Sequence, residues 1–193
     1  VTDMTDRGYS PNGHHKGFTL WFTGLSGAGK STLSHILAER LRAAGARVEV
    51  LDGDIVRTNL SKGLGFSKED RDKNIERVTF VAKLLSRNGV AVICSFISPY
   101  QETRDKVRMQ TTNFLEIYVD ASLDAVIERD VKGLYKKAIA GQIPNFTGIS
   151  DPYEAPTEPD MHISTDDQTP LESSNQILEG LEEIGFIPYP TVF

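Results

Sequence analysis

Apolar and polar positions alternate in blocks along this chain, and the period within each block changes. Phe18-Thr19-Leu20-Trp21-Phe22-Thr23 is a short apolar, β-prone run that ends at Gly24. From Ser31 to Ala44 the spacing turns helical, with Leu33, Ile36, Leu37 and Leu41 on one face and Gly45 as the stop. Val48 to Leu51 reads as a second strand running into Asp52-Gly53-Asp54, and residues 55–66 as a short helix with a Gly-rich turn. Ser67 and Asp70 supply a cap and a first-turn acid for a helix reaching about Asn88, with Ile75, Val78, Val81, Ala82 and Leu85 inward. Val90 to Phe96 follows as a buried strand, Gln101 to Met109 as a helix, Phe114 to Val119 as a fourth strand and Leu123 to Arg129 as a short helix. Asp130 to Pro159 is polar, with scattered Gly, Pro, Lys and Tyr; a stretch this long without periodicity reads as a functional lid or a disordered loop. Met161 to Thr165 is a last strand and Pro170 to Ile184 a last helix. Strands alternating with helices predict a parallel sheet in an α/β three-layer fold with right-handed crossovers.

Composition narrows the classes. The 193 residues are 39% hydrophobic and 25% charged, enough for one ordinary core. A net charge of −6 argues against gripping nucleic acid by bulk electrostatics, though not against a local anion site. A single cysteine, Cys94, excludes an internal disulfide framework and fits a reducing compartment. The apolar runs fall far short of the roughly 20 residues a membrane span needs, and the first residues lack a basic-then-apolar signal, so a cytoplasmic protein is expected. Residues 1–17, with no apolar period, read as a flexible N-terminal arm, and 18–193 as the folded domain with its lid at about 130–159.

The chemistry begins at Gly24-Leu25-Ser26-Gly27-Ala28-Gly29-Lys30-Ser31, followed by Thr32. The pattern Gly-x-x-x-x-Gly-Lys-Ser between a strand and a helix is a nucleoside triphosphate P-loop. Glycines let the main chain wrap a phosphate with N–H groups, and the helix aims its N-terminus at the same anion. Lys30 is expected on the β/γ oxygens and the Ser31 hydroxyl on magnesium. The three-layer P-loop nucleoside triphosphate hydrolase fold, with a central parallel sheet and a mobile lid, follows. No Asn-Lys-x-Asp segment is present to select guanine, and the small size favours a small-molecule kinase.

Asp52 and Asp54 close the second strand at the sheet edge where α/β proteins bind ligands. In extended backbone they point to opposite sides, so Asp54 is read as base or acceptor positioner and Asp52 as structural or as a residue behind the site. The alternative is a polar turn whose acids cap the next helix.

With the loop, these acids and Arg57 in place, the sequence resembles adenylylsulfate kinase. Leu64-Gly65-Phe66-Ser67, Glu69-Asp70-Arg71, Asn74-Ile75, Ser95-Phe96-Ile97-Ser98-Pro99-Tyr100, the run Arg129 to Ala138, Phe146-Thr147-Gly148-Ile149 and Tyr153-Glu154 carry the resemblance in order, across about residues 18–185. It implies magnesium-ATP and adenosine 5'-phosphosulfate as substrates, a homodimer, and a fused or associated ATP sulfurylase. Arg57, Arg71 and Asn74 would then hold the phosphosulfate and ribose, and Phe66 and Phe146 would stack on the acceptor adenine. The main chain at Ile97 and Ser98 would line that pocket, Lys132 would neutralise charge, and Arg129 with Thr165 would border the ATP adenine. By themselves, Arg71 and Asn74 read as a solvated helix face, Phe66 as core, Phe146 as a ligand contact with little to pack against, and Lys132, Lys136 and Lys137 as a charge run. The chain departs from the family at Ile139, where arginine is common, and in the segment before Phe18. Two other functions remain open: a kinase for another nucleotide, and a catalytically silent nucleotide-binding module regulating a sulfurylase.

Overall fold

The structure, a computed structural model, describes residues 16–187; most of the predicted N-terminal arm lies outside them. Five strands form one parallel sheet in the order β2-β3-β1-β4-β5: β1 Phe18–Thr23, β2 Val48–Asp52, β3 Ala91–Ser95, β4 Phe114–Asp120 and β5 Met161–Ser164. The central strand β1 is buried along its whole length, as a strand covered on both faces must be. Its even-numbered residues Phe18, Leu20 and Phe22 join Leu115, Ile117 and Val119 in one core, and Trp21 joins Val92, Cys94 and Phe96 in the other.

Helices α1 Lys30–Ala43 and α7 Pro170–Glu183 cover the first face, through Leu33, Leu37, Leu41, Ile177, Leu178 and Leu181. Helices α3 Lys68–Ser86 and α4 Gln101–Gln110 cover the second, through Ile75, Val78, Ala82 and Val107. Ser67 caps α3 by accepting from the Asp70 amide at 3.2 Å, as the sequence predicts. Three short helices, α2 Gly53–Thr58, α5 Leu123–Arg129 and α6 Leu134–Ile139, lie between the larger elements.

Two local expectations are corrected. The segment read as aperiodic from Asp130 to Pro159 contains α6, whose start is held by Asp130, its two carboxylate oxygens accepting from the Tyr135 and Lys136 amides at 3.0 Å each. One and a half turns of helix are too short to write a period of 3.6 into the sequence. Asp54 does not continue a strand: β2 stops at Asp52, and Asp54 stands in the first turn of α2, so strand alternation says nothing about the two acids. No helix among the described residues is long and apolar enough to cross a membrane.

Register brings the strand ends level. Asp52 of β2 pairs with Ser95 of β3, which pairs with Phe22 of β1. The loops after β1, β2 and β3 therefore open side by side at the carboxyl edge of the sheet, where a ligand meets several of them at once.

Candidate active site

The phosphate loop leaves β1 at Gly24. Its φ of 148° and a neighbouring Val119 carbonyl oxygen, 2.2 Å from where a Cβ would sit, admit only glycine. The loop ends at Gly29, in left-handed conformation before α1. Lys30 opens α1 and folds back over the loop, its Nζ donating to the carbonyls of Gly24 at 2.8 Å and Leu25 at 2.7 Å. Burial draws the Lys30 pKa down to about 7, against the raising pull of Asp52, with nearby Lys132 lowering it further. A phosphate in the loop would add negative charge beside Lys30 and favour its protonated form.

Next to it the Ser31 hydroxyl donates to Asp52 Oδ2 at 2.7 Å, while Asp52 Oδ1 accepts from the Asp54 amide at 3.0 Å. The capping alternative is thus realised in Asp52, and the same carboxylate also ties α1 to α2. Asp54 is exposed, and its Oδ2 pairs with Lys132 Nζ at 2.5 Å across the mouth of the site. Thr32 is exposed in the first turn of α1. Thr165 reaches the loop from the end of β5, its hydroxyl 3.0 Å from the Ala28 carbonyl, and the Arg129 guanidinium donates to the Thr165 carbonyl at 2.8 Å.

A second set of groups gathers beyond α2. Arg57 lies over the Phe66 ring, its guanidinium carbon 4.3 Å from the centroid. Phe66 is 59% exposed, so the core reading of that residue is wrong. Burial, and then the neighbouring charge of Arg71, lower the Arg57 pKa, with Asp54 and Asp70 pulling the other way. Arg71 and Asn74, read alone as a solvated face, are 9% and 5% exposed. Arg71 points inward because the loop from Asn145 to Asp151 folds over it, a long-range contact that helical spacing does not report. Asn74 Oδ1 is buried without a hydrogen-bond partner, an acceptor aimed into the protein that a ligand would satisfy.

Arg71 is more committed than expected. It donates to the Phe66 carbonyl at 2.9 Å, to the Thr147 hydroxyl at 2.5 Å and to the Asn145 carbonyl, and lies 3.6 Å from the Asp151 carboxylate. Phe146, beside these contacts, is partly buried against the core and meets Tyr135 edge-on, with centroids 5.0 Å apart, so it is not short of packing partners. Ile97 and Ser98 turn their carbonyls into the protein: Ile97 accepts from the Thr23 hydroxyl at 2.7 Å, and Ser98 from Arg104 at 2.6 Å. The Ser98 hydroxyl accepts from the buried Trp21 indole at 3.0 Å. Lys136 and Lys137 are exposed, as is Ile139, the departure from the family pattern.

The arrangement is a phosphate loop with Lys30 folded over it, an exposed Asp54 carboxylate paired with Lys132, and a stack of Arg57 on Phe66 beyond α2. A family model of adenylylsulphate kinase matches residues 16–164 of the chain. The chain belongs to the adenylylsulphate kinase family. It is 70% identical to a probable adenylyl-sulfate kinase of Pseudomonas aeruginosa over 164 residues, which is 85% of this chain and 77% of that one. It is 60% identical to the adenylyl-sulfate kinase of a Picosynechococcus species over 173 residues, 90% of this chain and 98% of the relative. The Mycobacterium tuberculosis APS kinase, solved in complex with AMPPNP and APS, superposes with a TM-score of 0.84 at 40% identity, covering 86% of this chain and 98% of that one.

Several residues of this adenylylsulphate kinase site escape reading from sequence. Tyr135 donates its hydroxyl to the Ser26 carbonyl of the phosphate loop at 2.8 Å. Tyr153 lies 2.9 Å from the Thr23 hydroxyl, and Tyr100 donates to Asp151 at 3.0 Å. Asp130 is the one with a local signal: an acid three residues before Gly133, followed by Leu134-Tyr135-Lys136-Lys137, is a turn-and-cap pattern.

Proposed function

We propose that this kinase transfers the γ-phosphoryl group of ATP to the 3'-hydroxyl of adenosine 5'-phosphosulfate, releasing ADP and 3'-phosphoadenosine 5'-phosphosulfate, in the activation of sulfate. The observation that carries the acceptor is the stack of Arg57 on the exposed Phe66 ring, with Arg71 near enough for its charge to lower the Arg57 pKa. A phosphosulfate suits adjacent guanidinium groups, and a purine suits the faces of Phe66 and Phe146. ATP takes the loop from Gly24 to Thr32, with its base toward Arg129 and Thr165. Asp54 accepts the proton of the attacking hydroxyl, or orients that hydroxyl, and in doing so releases Lys132 toward the transferring phosphoryl group. Segment 130–159 acts as the lid that excludes water while this happens.

The Ser31 hydroxyl and the Asp52 carboxylate, 2.7 Å apart at the phosphate end of the loop, are hard oxygen donors of the kind magnesium uses. Among the described residues no group of three or more His, Cys, Asp or Glu gathers as a metal cage. A magnesium ion sharing few protein oxygens with ATP and water fits that set, and its part is to neutralise charge on the phosphate oxygens. We place the enzyme in the cytoplasm as a homodimer, with ATP sulfurylase chemistry, fused or separate, supplying its acceptor. The intact Lys30, Ser31 and Asp54 favour a working enzyme over a silent regulatory module. ADP release with magnesium-ATP, measured against adenosine 5'-phosphosulfate, AMP, adenosine and no acceptor, tests the reading. Turnover with the phosphosulfate alone is expected; equal turnover with AMP, or none with any acceptor, overturns it.

A further inference from the structure

Tyr135 carries no role in the reaction as derived above, yet it is 2% exposed and spans two parts of the site. Its hydroxyl reaches a loop carbonyl 109 residues away in sequence, and its ring meets Phe146 at an interplanar angle of 80°. Burial raises its pKa to about 12, so the phenol keeps its proton and stays a donor. The carbonyl it grips belongs to the Ser26–Gly27 peptide. A trans peptide is planar, with C=O and N–H pointing in opposite directions, so anchoring the Ser26 oxygen to Tyr135 turns the Gly27 N–H the other way. In a loop that binds phosphate through its N–H groups, that is control of a binding group.

The same region is joined by a second contact. Leu25 of the loop lies 3.0 Å from where a Cβ of Gly148 would stand, so the Phe146–Gly148 turn rests on the phosphate loop directly. Tyr135 itself is pinned by α6, whose first amides are held by Asp130. The phosphate loop, α6 and Phe146 thus form one packed unit with Tyr135 at its centre.

We propose that Tyr135 is a positioning residue for both substrates: its hydroxyl orients the Ser26–Gly27 peptide for the nucleotide, and its ring edge holds Phe146 for the acceptor. This rests on the assignment of ATP to the loop and of the acceptor purine to Phe146. The two halves separate by substitution. Tyr135→Phe keeps the ring and deletes only the hydroxyl, leaving the Ser26 oxygen without its donor. Loss of such a bond corresponds to about a two- to tenfold rise in KM for ATP. The KM for adenosine 5'-phosphosulfate stays within about twofold, because the ring contact survives. Tyr135→Leu removes both and raises the phosphosulfate KM as well, again by about two- to tenfold.

Steady-state kinetics of both variants, with thermal unfolding alongside, tests this. An unchanged ATP KM in Tyr135→Phe overturns the hydroxyl's role, and equal rises in both KM values in that variant mark a merely structural residue. An unchanged phosphosulfate KM in Tyr135→Leu overturns the role of the ring. Tyr135→Phe preserves buried volume, so its split between the two KM values stands as the test if the leucine variant does not fold. Failure of the unaltered enzyme to turn over the phosphosulfate removes the functional reading and this inference with it; normal turnover with both variants unmoved removes the inference alone.

Discussion

Each side chain at the mouth of the site is placed by a neighbour that also needs it. Asp52 accepts from Ser31 and from the Asp54 amide, so the carboxylate that holds the Ser31 hydroxyl also orients the start of α2 and hence Asp54. Asp54 itself carries no such obligation beyond Lys132, 57% exposed on the opposite wall. An exposed carboxylate paired with an exposed ammonium suits the proposed part of Asp54 as proton acceptor, because an arriving hydroxyl can take the place of the ammonium. Asp54→Asn keeps shape and removes the charge. It is expected to lower kcat by about a hundredfold or more while KM for ATP moves little. Steady-state kinetics checks this, and a near-normal kcat would remove Asp54 from the proton-transfer step.

The elements owe their stability to a few long-range polar anchors as much as to the apolar cores. Arg104 of α4 is 1% exposed and spreads its guanidinium over the Ser98 carbonyl, the Glu154 carbonyl and the Gln101 side chain, with the Glu116 carboxylate of β4 at 2.7 Å. It ties helix, strand and the return of the 130–159 segment into one piece. Arg104→Met keeps the bulk but leaves Glu116, which is 3% exposed, with only the longer 3.4 Å contact to Arg108, and should destabilise the fold by about 3 kcal/mol in chemical denaturation. A loss under 1 kcal/mol would mean the pair is a bystander. Helix α7 shows the local counterpart. Thr169 and Glu172 form a reciprocal capping box ahead of Pro170, and Thr169→Ala is expected to lower Tm by about 2–4 °C.

At the scale of the whole molecule, the return of the 130–159 segment is fastened to the second helical layer. Arg71 holds Asn145, Thr147 and Asp151, Tyr100 holds Asp151, and Glu154 closes on the Gln101 and Pro99 main chain. The first half, from Asp130 through α6, meets the phosphate loop through Tyr135, and the second half touches it where Gly148 packs on Leu25. Arg71→Ala should therefore speed hydrogen exchange across residues 145–151 and raise the acceptor KM, while exchange in α1 stays as it was; unaltered exchange in 145–151 would show the anchor to be dispensable. The sequence alone determines the phosphate loop, the parallel α/β layering and the caps at Ser67 and Gly45. Their physics lies within a few neighbouring residues: backbone N–H groups in a Gly-rich turn, side-chain period, a hydroxyl three residues from an amide. It does not determine that Arg71 and Asn74 are buried, that Phe66 is exposed under Arg57, or that Tyr135 reaches Ser26. The burial of Arg71 and the reach of Tyr135 depend on which surfaces the 130–159 segment covers, and that is decided only when residues 70 to 110 positions apart are brought together by strand order and register.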